Sequence, residues 1–163
     1  MESGFAGRTD GSPDPYLSYK FRVRIAGSSG PASQAAFARC SGIRAAMNYL
    51  PVLNGSGTAS RIFIGASFSK VTLSKGVVSS DELMKWVFQS IPANGSGPMK
   101  SDVKTIEIAA LDSEGKEGIV WTLYRAIPTA YEVPSLDAEG NTVLFENLEL
   151  TFYGLTRENK KNG

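Results

Sequence analysis

Ser67 and Lys70 stand three residues apart in "SFSK", the spacing with which some acyl-transfer enzymes set a serine nucleophile beside a lysine. In those enzymes the serine opens a helix, so the lysine one turn later meets its hydroxyl. Here the pattern falls on an alternating stretch that reads as a strand, where positions i and i+3 point to opposite faces. Neither S-D-N nor K-T-G accompanies it. The glycine-rich "NGSGTAS" lacks the lysine of a phosphate-binding loop and reads as a flexible tip. Asp81 and Glu82 sit where a helix begins and complement its dipole. Asp112, Glu114, Asp137 and Glu139 fall in turns, where a solvated carboxylate is the ordinary outcome.

Histidine is absent from the 163 residues, which removes Ser-His and Cys-His nucleophile pairs, histidine general bases and most transition-metal ligand sets. The single cysteine, Cys40, has no partner for a disulfide or a thiolate metal site and reads as a small buried hydrophobe. No catalytic residue, cofactor site or metal site is assigned. What remains of an enzyme reading is a small β-barrel enzyme using lysine or carboxylates. Seventeen basic residues against 16 acidic ones give no bulk attraction to nucleic acid or anionic membrane, so no specific nucleic-acid binding is expected. The sharpest charged feature is the stripe Lys20, Arg22 and Arg24, which either is a solvated face or meets a partner, a polymer or a lumen.

Those groups must be carried by a mainly β chain. In "YKFRVRI", Tyr19, Phe21, Val23 and Ile25 face one way and the basic stripe the other, the pattern of a half-buried strand. "AAFARCSGI" predicts a second strand with Phe37 and Arg39 on one face and Cys40 on the other, and Gly42 marks a turn or bulge. Residues 44–64 read as a long excursion from the core, an apolar segment broken by Pro51 and followed by the glycine-rich tip. After Gly76, Ser79 and Glu82 form a capping box and Val78 with Leu83 a hydrophobic staple for one helix, which packs through Leu83, Trp86 and Val87. "DVKTIEIAALD" and "GIVWTLYRAIP" form a hairpin across "DSEGK". The last strand, "NTVLFENLELTFYGL", changes phase near Asn147, which predicts a bulge there. Strands with a single helix predict an antiparallel sheet rather than βαβ units.

The ordered set "DPYLSYKFRVRI", "FARCSGI", "VTLSKGVVSSDELMKWV", "IEIAALDSEGKEGIVWTLYRAIPTAYEVPSLDAEGN" and "VLFENLELTFYGL" resembles the inner tube proteins of contractile phage tails and related contractile injection systems. The resemblance covers most of Asp14 to Leu155. It departs mainly in residues 44–66, where "MNYLPVLNGSGTASRIFIGASF" is apolar at both ends. It implies an antiparallel β-barrel or sandwich with one flanking α-helix, the phage tail tube fold. It also implies hexameric rings stacked into a tube, partnered by a sheath, a baseplate and a terminator or cap, with effector or DNA in the lumen.

On this reading residues 1–15 are a flexible arm, 16–155 the tail-tube domain and 156–163 a polar tail. Ring-to-ring contacts are expected from the arm and from Met47, Tyr49, Leu50, Val52, Leu53, Ile62 and Phe63. Alternatives within the family are a tube-initiating ring at the baseplate and a type VI secretion tube subunit. No run approaches the ~20 apolar residues of a membrane span, and the N-terminus lacks a signal-peptide pattern. Synthesis in the bacterial cytoplasm and assembly into a phage tail or injection particle are expected.

Overall fold

The computed structural model describes residues 21–28, 34–35, 37–76, 82–92, 95, 102–137, 139–140 and 144–160. In chain order they form β1 (Phe21–Ile25), β2 (Gln34–Ala35), β3 (Phe37–Ser41), β4 (Ala45–Leu53), β5 (Ala59–Phe68) and β6 (Val71–Gly76). Then follow α1 (Glu82–Ser90), β7 (Lys104–Leu111), β8 (Glu117–Glu132), β9 (Phe145–Thr151) and β10 (Gly154–Asn159). Lys20, the arm, Val78 and Ser79 lie outside the described residues.

Every strand pair is antiparallel. The main sheet runs β2-β1-β7-β8-β9-β6-β3, with β10 also on β8, while β4 and β5 form a separate two-stranded sheet. The class is therefore the mainly β, one-helix architecture expected, but the sheet does not close into a barrel. It folds over on itself, so that Val23 and Ile108 from one half share a core with Leu73 and Leu148 from the other.

The fold-over is built into β8. This strand is 16 residues long, well past the usual ~5–6. As far as Ala126 it pairs with β7 and β10, and from Ile127 onward with β9. At the switch, Arg125 takes a positive φ of 53°, uncommon for a residue other than glycine. Across the bend the Tyr153 amide donates to the Tyr124 carbonyl at 3.0 Å, and the Arg125 guanidinium lies 5.5 Å from the Tyr153 ring centre.

Alternation decides what is buried. In β6, Val71, Leu73 and Lys75 point inward and Thr72 and Ser74 are partly exposed; in β9 the inward set is Glu146, Leu148 and Leu150. Helix α1 presents Leu83, Met84, Trp86, Val87 and Ser90 to the core, and the Trp86 indole N–H donates to the Asp102 carbonyl at 2.7 Å. Burying each large apolar side chain stabilises the fold by about 1.5–3 kcal/mol. The bond to Asp102 lets the indole enter the core without leaving its N–H unsatisfied.

Three sequence expectations are corrected. Phe37 and Arg39 do not share a face: β3 carries a register shift between them, so Ala38 is extra and both Phe37 and Cys40 pack on the core. The phase change near Asn147 is not a bulge, since β9 pairs with β6 without interruption from Val71↔Leu150 to Gly76↔Phe145. A charged residue, Glu146, occupies the inward position that an apolar pattern would have filled. Finally, the polar tail does not begin at Thr156, because β10 continues to Asn159. Gly42 does mark a turn: its φ is +92°, and a Cβ there would run into the Lys70 carbonyl.

Candidate assembly surfaces

The excursion at residues 44–64 is a β-hairpin rather than a structureless loop. Pro51 does not break it, because in a two-stranded ribbon both strands are edges and a missing N–H is tolerated. The turn is closed by Asn54, whose Oδ1 accepts from the Thr58 amide at 2.9 Å and from the Ser56 hydroxyl at 2.8 Å. Those internal bonds make "NGSGTAS" a hairpin turn. At the base, Phe68 packs against Phe152 with ring centres 5.2 Å apart, and the Ser69 amide donates to the Arg44 carbonyl at 3.1 Å.

Register sorts the expected contact residues onto two faces. Met47, Tyr49 and Leu53 share one with Phe63, and the Tyr49 and Phe63 rings meet edge to face at 5.7 Å. Leu50, Val52 and Ile62 lie on the other. A register shift between Asn48 and Tyr49 leaves Ile64 as an extra residue beside Gly65. Sequence reasoning passed over Ile64, although "RIFIG" shows one more apolar residue than strict pairing can place. Both faces are open to solvent: Leu53 is 76% exposed, Met47 64% and Ile64 62%. An isolated two-stranded hairpin is marginal in water, and contiguous exposed apolar surface marks an interaction site.

The second surface is the side of β1, β7, β8 and β10 turned away from the core. Cross-strand partners share a face, and two rows cross it: Arg22, Ala109, Val120 and Glu158, then Arg24, Glu107, Thr122 and Thr156. Arg24 is clamped between two carboxylates. Its Nε donates to Glu107 Oε2 at 2.6 Å, and its terminal nitrogens grip Glu117 through Nη1–Oε1 and through Nη2–Oε2 at 3.1 Å. Arg22 Nη1 stands 3.8 Å from Glu117 Oε1. The hydrogen bond from Arg24 is the main cause holding the Glu117 carboxyl below the ordinary carboxylate range, with Lys160 and Arg22 adding attraction. The same bond raises Arg24, against a smaller opposing effect of burial. Arg22 and Arg24 of the basic stripe therefore sit in a charge-paired face.

Leu83, Trp86 and Val87 are all in the core. Ser67 and Lys70 do not form a nucleophile pair: Ser67 lies in β5 opposite Ala46, and the Lys70 ammonium is 3.4 Å from Glu149 Oε2. Burial pushes the Cys40 thiol up to about 11, which keeps it protonated and inert near neutrality. No cluster of metal-ligating side chains exists among the described residues, and no helix there is long and apolar enough to cross a membrane.

Several solved structures share this fold. The PVC sheath-tube complex of an extracellular contractile injection system, in its extended state, has a chain 22% identical, with a TM-score of 0.70 and coverage of 89% of this chain and 92% of that one. The tube-terminating cap of the anti-feeding prophage has one 21% identical, with a TM-score of 0.73 and coverage of 96% and 99%. Hcp1 from Salmonella typhimurium is 14% identical, with a TM-score of 0.55 and 90% of each chain covered. No curated protein sequence matches the chain. The model of one sequence family, described as the T4-like virus tail tube protein gp19, matches residues 17–156, and the chain belongs to that tail tube family.

Proposed function

We propose that the protein is the repeating inner tube subunit of a contractile injection system or phage tail. Its copies form hexameric rings, and the rings stack through the β4–β5 hairpin into a tube whose lumen conducts an effector protein or DNA. The charge-paired face of β1, β7, β8 and β10 lines that lumen. The observation that carries this reading is the hairpin, with apolar side chains exposed on both faces and only its base anchored by Phe68. Such a ribbon is stable and soluble when further copies of the chain cover it. The solved relatives include a sheath-tube complex, a terminating cap and a 6-fold symmetrised baseplate. Sheath, cap and baseplate proteins are accordingly the proposed partners, and assembly follows synthesis in the bacterial cytoplasm.

The role is passive. A rigid tube is driven forward when the surrounding sheath shortens, and nothing in it requires bond chemistry. Electron microscopy of the purified protein tests the reading, with rings or tubes expected. A monodisperse monomer at high concentration overturns it, and turnover of a substrate by that monomer would favour a small β-barrel enzyme instead.

A second reading is a specialised ring at one end of the tube, favoured by the 96% coverage of this chain in its similarity to the cap. Long filaments from the protein alone support the repeating subunit, whereas single rings support the end ring.

A further inference from the structure

On the face of β1, β7, β8 and β10, the described cations Arg22, Arg24 and Lys160 stand near carboxylates. Arg24 contacts both Glu107 and Glu117, Arg22 lies beside Glu117, and Lys160 is close enough to Glu117 to lower its pKa. Glu158 is in the same cross-strand row as Arg22. Among these described residues Arg22, Arg24 and Lys160 balance Glu107, Glu117 and Glu158, so this described part of the face carries little net charge.

The pairing within this face is selective about geometry. The guanidinium of Arg24 has its Nε and both terminal nitrogens directed at carboxylates of the same chain, so three of its five N–H donors are already taken. Phosphates compete for exactly those in-plane donors, and a polyanion gains affinity by releasing counterions as each free cation is neutralised. A clamped arginine offers fewer free donors, and its charge is already compensated by two carboxylates. In the two rows between the clamps Ala109, Val120 and Thr122 are buried and Thr156 is exposed, so those rows present little open apolar surface.

We infer that Glu107 and Glu117 set the cargo selectivity of the conduit by masking Arg24, making the wall indifferent to charge and suited to a polypeptide of mixed sign, with no hold on a polyanion. This rests on the proposed reading that the face lines the lumen. The masking acts on retention: a wall that repeats one unclamped arginine in every subunit would present successive rings of cations along the path, and a threaded polyanion would stay bound to them.

The test uses assembled tubes and a fluorescent single-stranded oligonucleotide as the probe, with retention measured by pelleting at low and high salt. Wild-type tubes are expected to retain almost none. Tubes of Glu107→Gln/Glu117→Gln are expected to retain at least about tenfold more, with retention falling as salt rises by roughly 0.7 decade per decade of salt for each contacted phosphate. Because the double variant also removes bonds that join β1, β7 and β8, Glu158→Lys serves as a second variant: it adds an unclamped cation at an exposed position of the same face and is expected to retain the probe in the same salt-sensitive way.

The lumen reading is checked separately with Thr156→Cys tubes and maleimide-nanogold, since Cys40 is partly buried against the core and its thiol is held protonated. Gold along the tube axis together with retention by the variants supports the inference. Gold on the axis with no gain in retention from either variant, or strong retention by the wild type, overturns the inference and leaves the lumen reading standing. Gold on the outer wall, or no tubes from the wild type, overturns the reading and the inference with it.

Discussion

Lys75 and Glu146 face each other inside the protein: Nζ lies 3.2 Å from Oε1, with side-chain exposures of 1% and 8%. The Tyr131 hydroxyl donates to the other carboxylate oxygen at 3.1 Å, and the ammonium sits 6.0 Å from the centre of the Phe37 ring. The pair spans β6 and β9 at directly opposed positions. A buried ion pair loses hydration on both sides, so its worth lies less in net stability than in what happens when one partner goes.

Lys75→Met should therefore destabilise the protomer by about 3–5 kcal/mol, since it strands a buried carboxylate. Lys75→Met combined with Glu146→Leu should recover most of that loss. Urea denaturation of the single and double variants checks this, and a double variant as unstable as the single one would contradict it.

Tyr49 and Phe63 should behave in the opposite manner. Each is about half exposed, at 50% and 55%, so Tyr49→Ala with Phe63→Ala should cost the protomer no more than about 1 kcal/mol while abolishing tube formation. Leu83→Ala, at a core position 2% exposed, should cost about 2–5 kcal/mol. Thermal melts at low concentration and sedimentation at high concentration separate the two effects. Shortening the hairpin by deleting Asn54 to Ser60 should likewise leave a folded protomer that makes no tubes.

Acid should loosen the protein partly through Glu117. Its folded pKa is depressed below the unfolded carboxylate value of about 4.3, so its contribution is present above that value and is lost as pH falls through the folded pKa. Glu117→Gln should flatten the fall in stability below about pH 4 and leave the slope near neutrality unchanged. Equal slopes for wild type and variant across the acid range would contradict it. Tyr131 has the reverse sign: burial, with Glu146 beside it, raises its pKa, so that contribution fades only as pH rises past the ordinary tyrosine value.

Cys40 gives a chemical readout of the same fold. With its thiol at about 11, against an ordinary 9.0, the folded protein at pH 8 should react with a small disulfide reagent about a hundredfold more slowly than the urea-unfolded chain. Absorbance of the released thiolate follows the rate, and comparable rates would contradict the placement of Cys40 against the core.

Sequence periodicity carried the parts of the fold in which a strand has one wet face and one dry face. β1 and the Leu83–Trp86–Val87 stripe of α1 follow their patterns directly; the β7–β8 hairpin forms as expected, but its strands are buried on both faces and its ladder shifts register twice. It failed where the pattern answers to something beyond the strand itself. Ala38 shifts β3 by one residue without any glycine to announce it, and Glu146 imitates a bulge because its partner Lys75 is 71 positions away in sequence, between β6 and β9. The β4 arm of the β4–β5 ribbon reads as irregular because both of its faces carry apolar residues, which erases alternation. β10 reads as tail because the side chains of Thr156 to Asn159 are exposed on both faces. The apolar residues of the candidate assembly surface were legible by type; their division into two faces needed the register. The carboxylate clamp on Arg24 was not legible, since Glu107 and Glu117 meet it only through the order of β1, β7 and β8.

The bend in β8 bears on how the subunit would carry force. The two halves of the sheet are held together by side-chain packing and also by an unbroken run of peptide bonds, since one strand belongs to both. A pull that reaches one half passes to the other along the backbone, and sliding them apart would first require stripping β8 from the strands beside it. Resistance to shear in this protein is thus a property of chain continuity, and its weakest point is set by hydrogen bonds in the ladder rather than by the strength of the core.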